Sequence, residues 1–263
     1  MRLLPPGARK EVGIQKTPAQ RLSIQSYMPK RIPRNRQGNL VGHAPKDPAA
    51  YLKDLAQKKI PSTPTLQGLA MISKNCKACD LWQRGTQTVF GEGESDSKVM
   101  FVGEVPGDQE DLAGQPFVGP AGNLLDKALV EAGIDRSKAY VTNAVKHFKW
   151  EPRGKRRIHE KPNAKEIAAC PPWLDAEIAR LCPKVIVCLG ATASQVLLGK
   201  DFRVTQHRGE FIESDLAPYV TATIHPSAIL RAPDDVTREE EMKRFVADLK
   251  KIAKVIAWID FRI

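Results

Sequence analysis

The stretch that decides the fold is Lys98-Val99-Met100-Phe101-Val102-Gly103-Glu104-Val105-Pro106-Gly107-Asp108. Its first half is an apolar, β-rich run, and its second half is a loop of glycine, proline and acidic residues. Three further apolar runs follow along the chain, and helical patterns separate them. Because strands that alternate with helices favour a parallel sheet covered on both faces, we predict a three-layer α/β/α fold with a central, mainly parallel four-stranded sheet.

The boundaries of these elements follow from the apolar pattern. The four predicted strands are Lys98–Gly103, Ala139–Val145, Lys184–Leu189 and Tyr219–Ile224. The predicted helices are Leu66–Ser73, Gly122–Ala132, Ala164–Leu181, Thr192–Leu198 and Thr237–Ile256. Ligands of such sheets bind beyond the carboxyl ends of the strands, and the first and last strands here are followed by conspicuous polar residues.

The positive charge of the chain is concentrated at its beginning. The net charge is +11, and residues 1–60 hold 13 Lys and Arg against 3 Asp and Glu, whereas the remainder holds 28 against 27. Seven prolines also fall in residues 1–60, so we predict a basic, Pro-rich, disordered extension there and one domain over residues 61–263. Such an extension is typical of an arm that holds DNA, although a targeting segment or a solubilising tail would have a similar composition.

Five cysteines and the absence of a secretory pattern indicate a reduced, intracellular setting, and no apolar run is long enough to span a membrane. The pair Cys76-x-x-Cys79 with the distant Cys170 matches iron–sulfur or zinc ligation. A fourth ligand is needed, and the candidates are His147, Cys182 and Cys188. The last of these lies inside an apolar run, which predicts a place in the core of a strand.

Two loops carry candidate chemistry at the strand ends. After the first strand, Gly103 allows the backbone to approach a ligand, and Glu104 is expected at the mouth of a pocket. After the last strand comes His225-Pro226-Ser227-Ala228-Ile229-Leu230-Arg231. Here His225 can point into the pocket, Arg231 can meet phosphate, and Ile229 with Leu230 can form a wedge that fills the gap left by an extruded base. The plainer alternative for the first loop is a solvent-exposed turn. For the second loop it is a hydrogen-bonded histidine, with Ile229 and Leu230 packed in the core as part of a helix.

A basic segment, Lys155-Arg156-Arg157-Ile158-His159-Glu160-Lys161-Pro162, lies between the second and third predicted strands. A charge run of this kind usually contacts phosphates or solvent. This one differs because a single histidine, His159, follows the basic residues.

Taken together, these residues resemble the family 4 uracil-DNA glycosylases, which have an iron–sulfur cluster. The resemblance covers about residues 66–254. It rests on the order and spacing of Gly103-Glu104-x-Pro106-Gly107, Glu110-Asp111, Gly114-x-Pro116-Phe117-Val118-Gly119, Tyr140-Val141-Thr142-Asn143, Leu189-Gly190-Ala191-Thr192-Ala193 and His225-Pro226-Ser227.

Two features narrow the resemblance to the UdgX subgroup, whose members form a stable covalent link to uracil-containing DNA. This chain has His147 where the usual family 4 chain has a third cluster cysteine, and it has the basic segment with His159. By that similarity a [4Fe-4S] cluster would be held by Cys76, Cys79, His147 and Cys170. One departure is Val105, where members of the subgroup carry Gln at the edge of the uracil pocket.

The resemblance also implies how uracil is recognised and removed. Phe117 would stack on the base, Asn143 would read its edge, and His225 would stabilise the uracil anion. The acids Glu104 and Asp108 would orient or deprotonate the attacking group, and His159 would attack C1′ of the sugar. The remaining implied site residues are Gly103, Val105 and Arg231 for the substrate and Lys155, Arg156, Arg157 and Ser227 for DNA.

The expected partner is uracil-containing DNA, preferably single-stranded because a base leaves the stack more easily there. We expect a monomer without membrane contact, in the cytoplasm and associated with the bacterial nucleoid. Two alternatives stay open: a glycosylase that turns over with water as the nucleophile, and a catalytically silent iron–sulfur DNA-binding protein, which Val105 favours. A zinc-binding module is a structural alternative.

Overall fold

The computed structural model describes residues 65–262. The predicted extension over residues 1–60 lies outside the described residues, and its disorder stays a prediction. Within the described part, no helix combines the length and the apolar character that crossing a membrane would require.

The four predicted strands are present, each within a residue or two of its predicted bounds. Their observed bounds are Val99–Gly103 (β1), Ala139–Asn143 (β2), Val185–Leu189 (β5) and Tyr219–Thr223 (β7). They pair in parallel in the order β2-β1-β5-β7, which confirms the mainly parallel sheet. The first three are buried along their whole length, as expected for strands with both faces covered.

The sequence did not predict three further strands. Phe211–Ile212 (β6) pairs antiparallel with β7 at the edge of the sheet, so the central sheet has five strands rather than four. Trp150–Arg153 (β3) and Arg156–His159 (β4) form a separate antiparallel hairpin. A two-residue strand is too short to show a period, and the hairpin is largely polar and exposed, so neither has the apolar alternation that predicts a strand.

Helices cover both faces of the sheet, which confirms the three-layer architecture. Pro120–Ala132 (α3) and Asp235–Arg262 (α9) pack on one face through side chains that include Leu125 and Phe245. The opposite face is covered through side chains that include Leu174 and Leu197. The remaining helices are Leu66–Ser73 (α1), Asp108–Ala113 (α2), Ala164–Ala169 (α4), Pro171–Leu181 (α5), Gly190–Leu198 (α6), Val204–His207 (α7) and Pro226–Leu230 (α8).

One predicted helix, Ala164–Leu181, is wrong as a single element. The structure divides it into α4 and α5 at Cys170, which ends the first helix and precedes the second. The cause is Pro171 and Pro172, because a proline has no backbone N–H to continue the first helix but is tolerated at the start of a new one. The break leaves Cys170 buried at a helix junction.

A buried ion pair fixes the end of β2 against α5. Lys146 and Glu177 are both fully buried, and Lys146 Nζ lies 2.5 Å from Glu177 Oε2. The same carboxylate accepts hydrogen bonds from Tyr140 Oη at 2.9 Å and Thr142 Oγ1 at 3.0 Å. Lys146 Nζ also donates to the backbone oxygen of Asn143 at 2.9 Å. The network therefore holds the last residues of β2 and the residues that follow it in one position.

We expect Glu177→Ala to lower the free energy of unfolding by about 3–5 kcal/mol, because it leaves the Lys146 ammonium buried without its partner. Urea unfolding would measure this. The matched control is Glu131→Ala on the exposed surface of α3, which we expect to change the free energy by no more than about 0.5 kcal/mol. The double variant Lys146→Met, Glu177→Leu should recover part of the loss, because it removes the unpaired charge but leaves the Tyr140 and Thr142 hydroxyls without their acceptor. A loss below about 1 kcal/mol for Glu177→Ala would contradict the assignment.

Candidate active site

A cavity of about 280 Å³ opens where the carboxyl ends of β1, β2 and β7 meet. Gly103 and Asn143 are paired at the ends of β1 and β2, and His225 follows β7 by two residues. The sheet topology thus brings together side chains from segments that are far apart in sequence. The residues that line the cavity are Val105, Gly107, Asp108, Gln109, Glu110, Phe117, Pro120, Ala121, Asn143, His159 and His225.

The floor of the cavity depends on a missing side chain at Gly103. A Cβ at this position would overlap Asn143 Oδ1 and would lie 2.7 Å from the Phe117 ring. Gly103 is therefore placed to let the amide and the ring approach each other. Its contribution to the site is the space that it leaves for Asn143 and Phe117.

Phe117 is held in a left-handed backbone conformation with φ of 60°, which is uncommon for a residue with a side chain. A Cβ at Gly122 would overlap the Phe117 carbonyl, so the chain can pass close behind this residue. The ring is buried and stacks on the His225 imidazole, with 6.2 Å between the ring centroids and 28° between the planes. Strained backbone of this kind is often retained where a site needs a fixed side chain.

The contacts of His225 define its tautomer. Its Nδ1 accepts a hydrogen bond from the Ser227 backbone N–H at 3.1 Å and lies 2.8 Å from Ser227 Oγ. With Nδ1 acting as the acceptor, the ring proton is on Nε2. Burial above all, and then the charges of Arg231 and His159, together lower the pKa of His225 to about 4. His225 is thus a neutral donor at neutral pH.

Sequence reasoning missed the role of Glu110. Its carboxylate accepts hydrogen bonds from the backbone N–H of Gly107 at 3.1 Å and of Gly119 at 2.8 Å. These two glycines lie in the loops on either side of α2, so Glu110 joins the loop after β1 to the loop that carries Phe117. The available signal was the capping-box spacing, with Glu110 three residues after the N-cap Gly107.

The hairpin of β3 and β4 brings His159 to the cavity. His159 pairs with Trp150 in the hairpin and packs against Phe148, with 6.2 Å between ring centroids. Its side chain is exposed at the mouth rather than buried inside. The structure therefore places the imidazole from the basic segment beside Asn143 and His225, as an element of the same cavity.

Arg157 attaches this hairpin to the loop and helix after β1. Its guanidinium lies 2.6 Å from Asp108 Oδ1 and 2.7 Å from Asp111 Oδ2, and Asp111 is fully buried. The guanidinium also lies over the rings of Phe148 and Trp150. In this structure Arg157 therefore contacts carboxylates and aromatic rings, whereas the sequence predicted that it contacts phosphate.

Glu104 lies beside the cavity, not among the residues that line it. Its Oε1 accepts a hydrogen bond from Thr192 Oγ1 at 2.6 Å, at the start of α6. The predicted orientation of His159 by Glu104 is thus not formed in this structure, because Thr192 holds the carboxylate. Asp108 does line the cavity, and its carboxylate pairs with Arg157.

The predicted wedge is wrong for one of its two residues. Ile229 is fully buried in the core formed with α3 and α9. Leu230 is 39% exposed at the end of α8. The helical turn after His225 points successive side chains in different directions, which a linear reading of Ile229-Leu230 does not separate. Lys155 and Arg156 have exposed side chains at the tip of the hairpin, and Arg231 is exposed after α8.

The predicted metal ligands lie at the opposite side of the loop after β1. The thiol of Cys170 hydrogen-bonds to Cys79, which lowers the pKa of Cys79 to about 6, and the same bond with burial raises the pKa of Cys170. Cys76 Sγ accepts a hydrogen bond from Trp173 Nε1 at 3.2 Å. Cys188 is buried inside β5, which confirms its predicted place in the strand core.

His147 is buried next to Lys146 and has one unsatisfied nitrogen. Its Nε2 lies 2.9 Å from Thr88 Oγ1, and its Nδ1 is buried with no hydrogen-bond partner among residues 65–262. Burial lowers the pKa of His147, so the ring is neutral and suited to metal ligation. Within that same range, no three Cys, His, Asp or Glu side chains converge closely enough to hold a single metal ion.

Comparisons with known proteins agree with this arrangement. A family model described as the uracil DNA glycosylase superfamily matches residues 90–250. A type-4 uracil-DNA glycosylase of Thermotoga maritima is 41% identical over 187 residues, which are 71% of this chain and 90% of the relative. A type-4 uracil-DNA glycosylase of Archaeoglobus fulgidus is 35% identical over 188 residues, which are 69% of this chain and 88% of the relative.

The matched region begins just before β1 and extends into α9, so it contains the whole sheet. It also contains Phe117, Asn143 and His225, which line the cavity described above, and Gly103, which lies against the first two. The chain therefore belongs to the uracil-DNA glycosylase superfamily.

Proposed function

We propose that this chain excises uracil from DNA and that His159 then captures C1′ of the exposed sugar. The observation that carries the proposal is the composition of one cavity, which Phe117, Asn143, His225 and His159 all line. The first three are suited to bind a base and to stabilise its departure. The fourth adds a nucleophile from a hairpin outside the central sheet.

Recognition of uracil is assigned to Phe117 and Asn143. The Phe117 ring offers a flat apolar surface for a base, and its strained backbone fixes that surface next to His225. The Asn143 amide can donate to O4 of uracil and accept from its N3–H. Cytosine reverses both groups, and buried polar groups left unpaired disfavour it strongly. Lys146 supports this amide by holding the Asn143 backbone oxygen.

His225 is assigned to the leaving group. Cleavage of the C1′–N1 bond leaves its electron pair on uracil as an anion. The Nε2–H of neutral His225 can donate to that anion, since Nδ1 is occupied by Ser227. A preorganised donor of this kind contributes typically about 2.7–4 kcal/mol to the transition state.

Capture of the sugar is assigned to His159. A ring nitrogen of its imidazole would form a bond to C1′ as the bond from C1′ to N1 of uracil breaks. The resulting imidazolium loses the proton on its other ring nitrogen, the uracil anion takes up one proton, and uracil departs as the neutral base. The sum is protein plus DNA giving a protein–DNA adduct plus uracil, with no further reactant.

The attachment of the hairpin supports this role. Arg157 joins the strand that ends in His159 to Asp108 and Asp111, and Asp108 itself lines the cavity. A nucleophile gains most from a fixed position near the reacting atom. The UdgX-like interpretation of the sequence predicts the same residue, so its support is the position of His159 and not the family alone.

A glycosylase that turns over is the second candidate, and one observation favours it. Glu104 hydrogen-bonds to Thr192 and does not orient His159. A carboxylate held beside the cavity could instead position a water molecule for attack on C1′. In that case His159 would be a DNA contact, and adduct formation would not occur.

The DNA strand is proposed to cross the mouth of the cavity. Lys155 and Arg156 at the tip of the hairpin and Arg231 after α8 are exposed, and their charges suit phosphate groups. Single-stranded DNA is the preferred substrate in this proposal, because no base pair has to be broken to extrude uracil.

A [4Fe-4S] cluster held by Cys76, Cys79, His147 and Cys170 is part of the proposal. The unsatisfied, buried Nδ1 of His147 is the observation of this structure that fits a missing ligand, and the Cys79–Cys170 contact adds two thiols. The ligands of a cluster bind different irons, so they need not converge on one point as the ligands of a single ion do. When bound, the cluster would cross-link the segment before β1, the end of β2 and the α4–α5 junction.

Formation of the adduct can be tested on a denaturing gel. Full-length protein incubated with uracil-containing single-stranded DNA should give a band on a denaturing gel that survives heat and detergent, and His159→Ser should abolish it. The matched control is His207→Ser, since His207 packs against Phe202 away from the cavity. Free uracil in large excess over protein, without any such band, would establish the turnover candidate instead.

The second prediction concerns the cluster. Purified anaerobically, the protein should be brown and contain iron and acid-labile sulfide, and Cys170→Ser should lose both. Cys182→Ser is the matched control, because Cys182 is exposed at the end of α5, and it should keep the colour and the iron. A colourless protein that contains zinc would contradict this assignment.

The third prediction concerns His225. An NMR titration of the imidazole nitrogens should give a pKa of about 4, with the proton on Nε2 in the neutral ring, and His225→Gln should remove these signals. Because the folded pKa is below the ordinary value of about 6.5, the stabilising effect of the neutral ring is present above that pH and is lost as the pH falls towards 4. A pKa above about 6 would show that His225 is not the neutral donor.

A further inference from the structure

A second cavity lies directly beside the catalytic one, between α3, α8 and α9. Its volume is about 480 Å³, and its lining is mostly apolar. We call this cavity the flanking groove, and the residues that define it here are Pro120, Leu124, Lys127, Ile229, Leu230 and Met242.

The flanking groove adjoins the catalytic cavity. Pro120 lines both cavities, so one wall of the first is also a wall of the second. The short helix α8 links them in the same way, because His225 caps its beginning at the catalytic cavity and Leu230 ends it at the groove. The groove is therefore a neighbouring surface for a strand whose base enters the catalytic cavity.

The side chains of the groove are available to a ligand. Leu230 is 39% exposed, although it is a large apolar residue. Leu124 and Met242 pack against the core on one side and remain only partly buried on the other. Exposed apolar side chains that are grouped in a concave surface are typical of binding sites rather than of an ordinary protein surface.

We propose that the flanking groove binds the nucleobase that neighbours the target uracil on the same DNA strand. This inference rests on the proposed function, since it needs a uracil in the catalytic cavity. Extrusion of uracil removes a stacking partner from that neighbouring base. Apolar contact with Leu124, Leu230 and Met242 would replace the lost stacking, and the flexible Met side chain can adapt to bases of different shape.

The charges at the two cavities suit a nucleic acid strand. Arg231 follows α8 directly, and its positive charge acts on His225 in the catalytic cavity. Lys127 lines the groove from α3, together with Asp235, Arg238 and Glu239. Both acids are already paired, Asp235 with Arg238 and Glu239 with Lys243, so Lys127 and Arg231 are the cations that phosphates beside a base in the groove would meet.

The test measures binding of the full-length protein to three fluorescent single-stranded oligonucleotides by anisotropy. Each contains 2′-fluoro-2′-deoxyuridine, which resists cleavage. One has normal flanking bases, one lacks the base immediately 5′ of the uracil and one lacks the base immediately 3′ of it. We expect the loss of one of these two bases to weaken binding about 5-fold or more, at the lower end of what a stacked base contributes, and the loss of the other to have a smaller effect.

Leu124→Asn is the variant that tests the groove itself, because Leu124 lines the groove and not the catalytic cavity. For this variant, the Kd for the intact oligonucleotide and the Kd for the one lacking the base whose loss weakens wild-type binding should differ by no more than about 2-fold. The matched control Leu124→Met should keep the difference. Uracil release from ordinary deoxyuridine DNA at saturating concentration should continue in both variants.

The outcomes separate this inference from the proposed function. If the protein releases uracil but binds all three oligonucleotides equally, the groove assignment is overturned and the glycosylase proposal stands. The groove assignment is also overturned if Leu124→Asn keeps the full wild-type difference in Kd between the intact and the abasic oligonucleotide, since the neighbouring base would then bind elsewhere. If the protein neither releases uracil nor prefers the uracil oligonucleotide over a thymine one, both proposals fall together.

Discussion

The ion pair between Arg157 and the carboxylates of Asp108 and Asp111 is the contact on which the account depends. It joins a hairpin outside the main sheet to the helix that follows β1. One of its carboxylates is fully buried, so separating the pair would leave an uncompensated charge in the interior. Together with the hydrogen bond from Trp150 Nε1 to the Arg84 backbone oxygen at 2.9 Å, this contact holds the hairpin that carries His159 beside the cavity.

The five residues from Asn143 to His147, at the end of β2 and just after it, contribute to both the cavity and the proposed cluster site. Asn143 lines the cavity, Lys146 is buried in its pair with Glu177, and His147 is buried with an unsatisfied Nδ1. Because the charged network holds this short segment in one conformation, the amide proposed to read the base and the proposed cluster ligand share one support. A group bound at the cysteines would therefore stabilise the cavity without contributing an atom to it.

The sequence predicted those parts of the fold that follow from apolar periodicity, which are the four parallel strands and the helices that cover them. The hairpin could not be predicted, because its strands are polar and its stability comes from Arg157 and its contacts with distant residues. The break at Cys170 was readable from Pro171 and Pro172. The place of His225 followed from its position at a strand end, and the places of Phe117 and Asn143 were implied by the family resemblance. The Glu104–Thr192 contact and the burial of Ile229 depend on packing that no local pattern encodes.

The most direct test of the central claim is the intact mass of the full-length protein after incubation with uracil-containing single-stranded DNA, followed by nuclease digestion and peptide mapping. The account predicts a mass equal to protein plus DNA minus one uracil, with the modified sugar attached to the peptide that contains His159. Unmodified protein together with released uracil, or a sugar attached to any other residue, would contradict it.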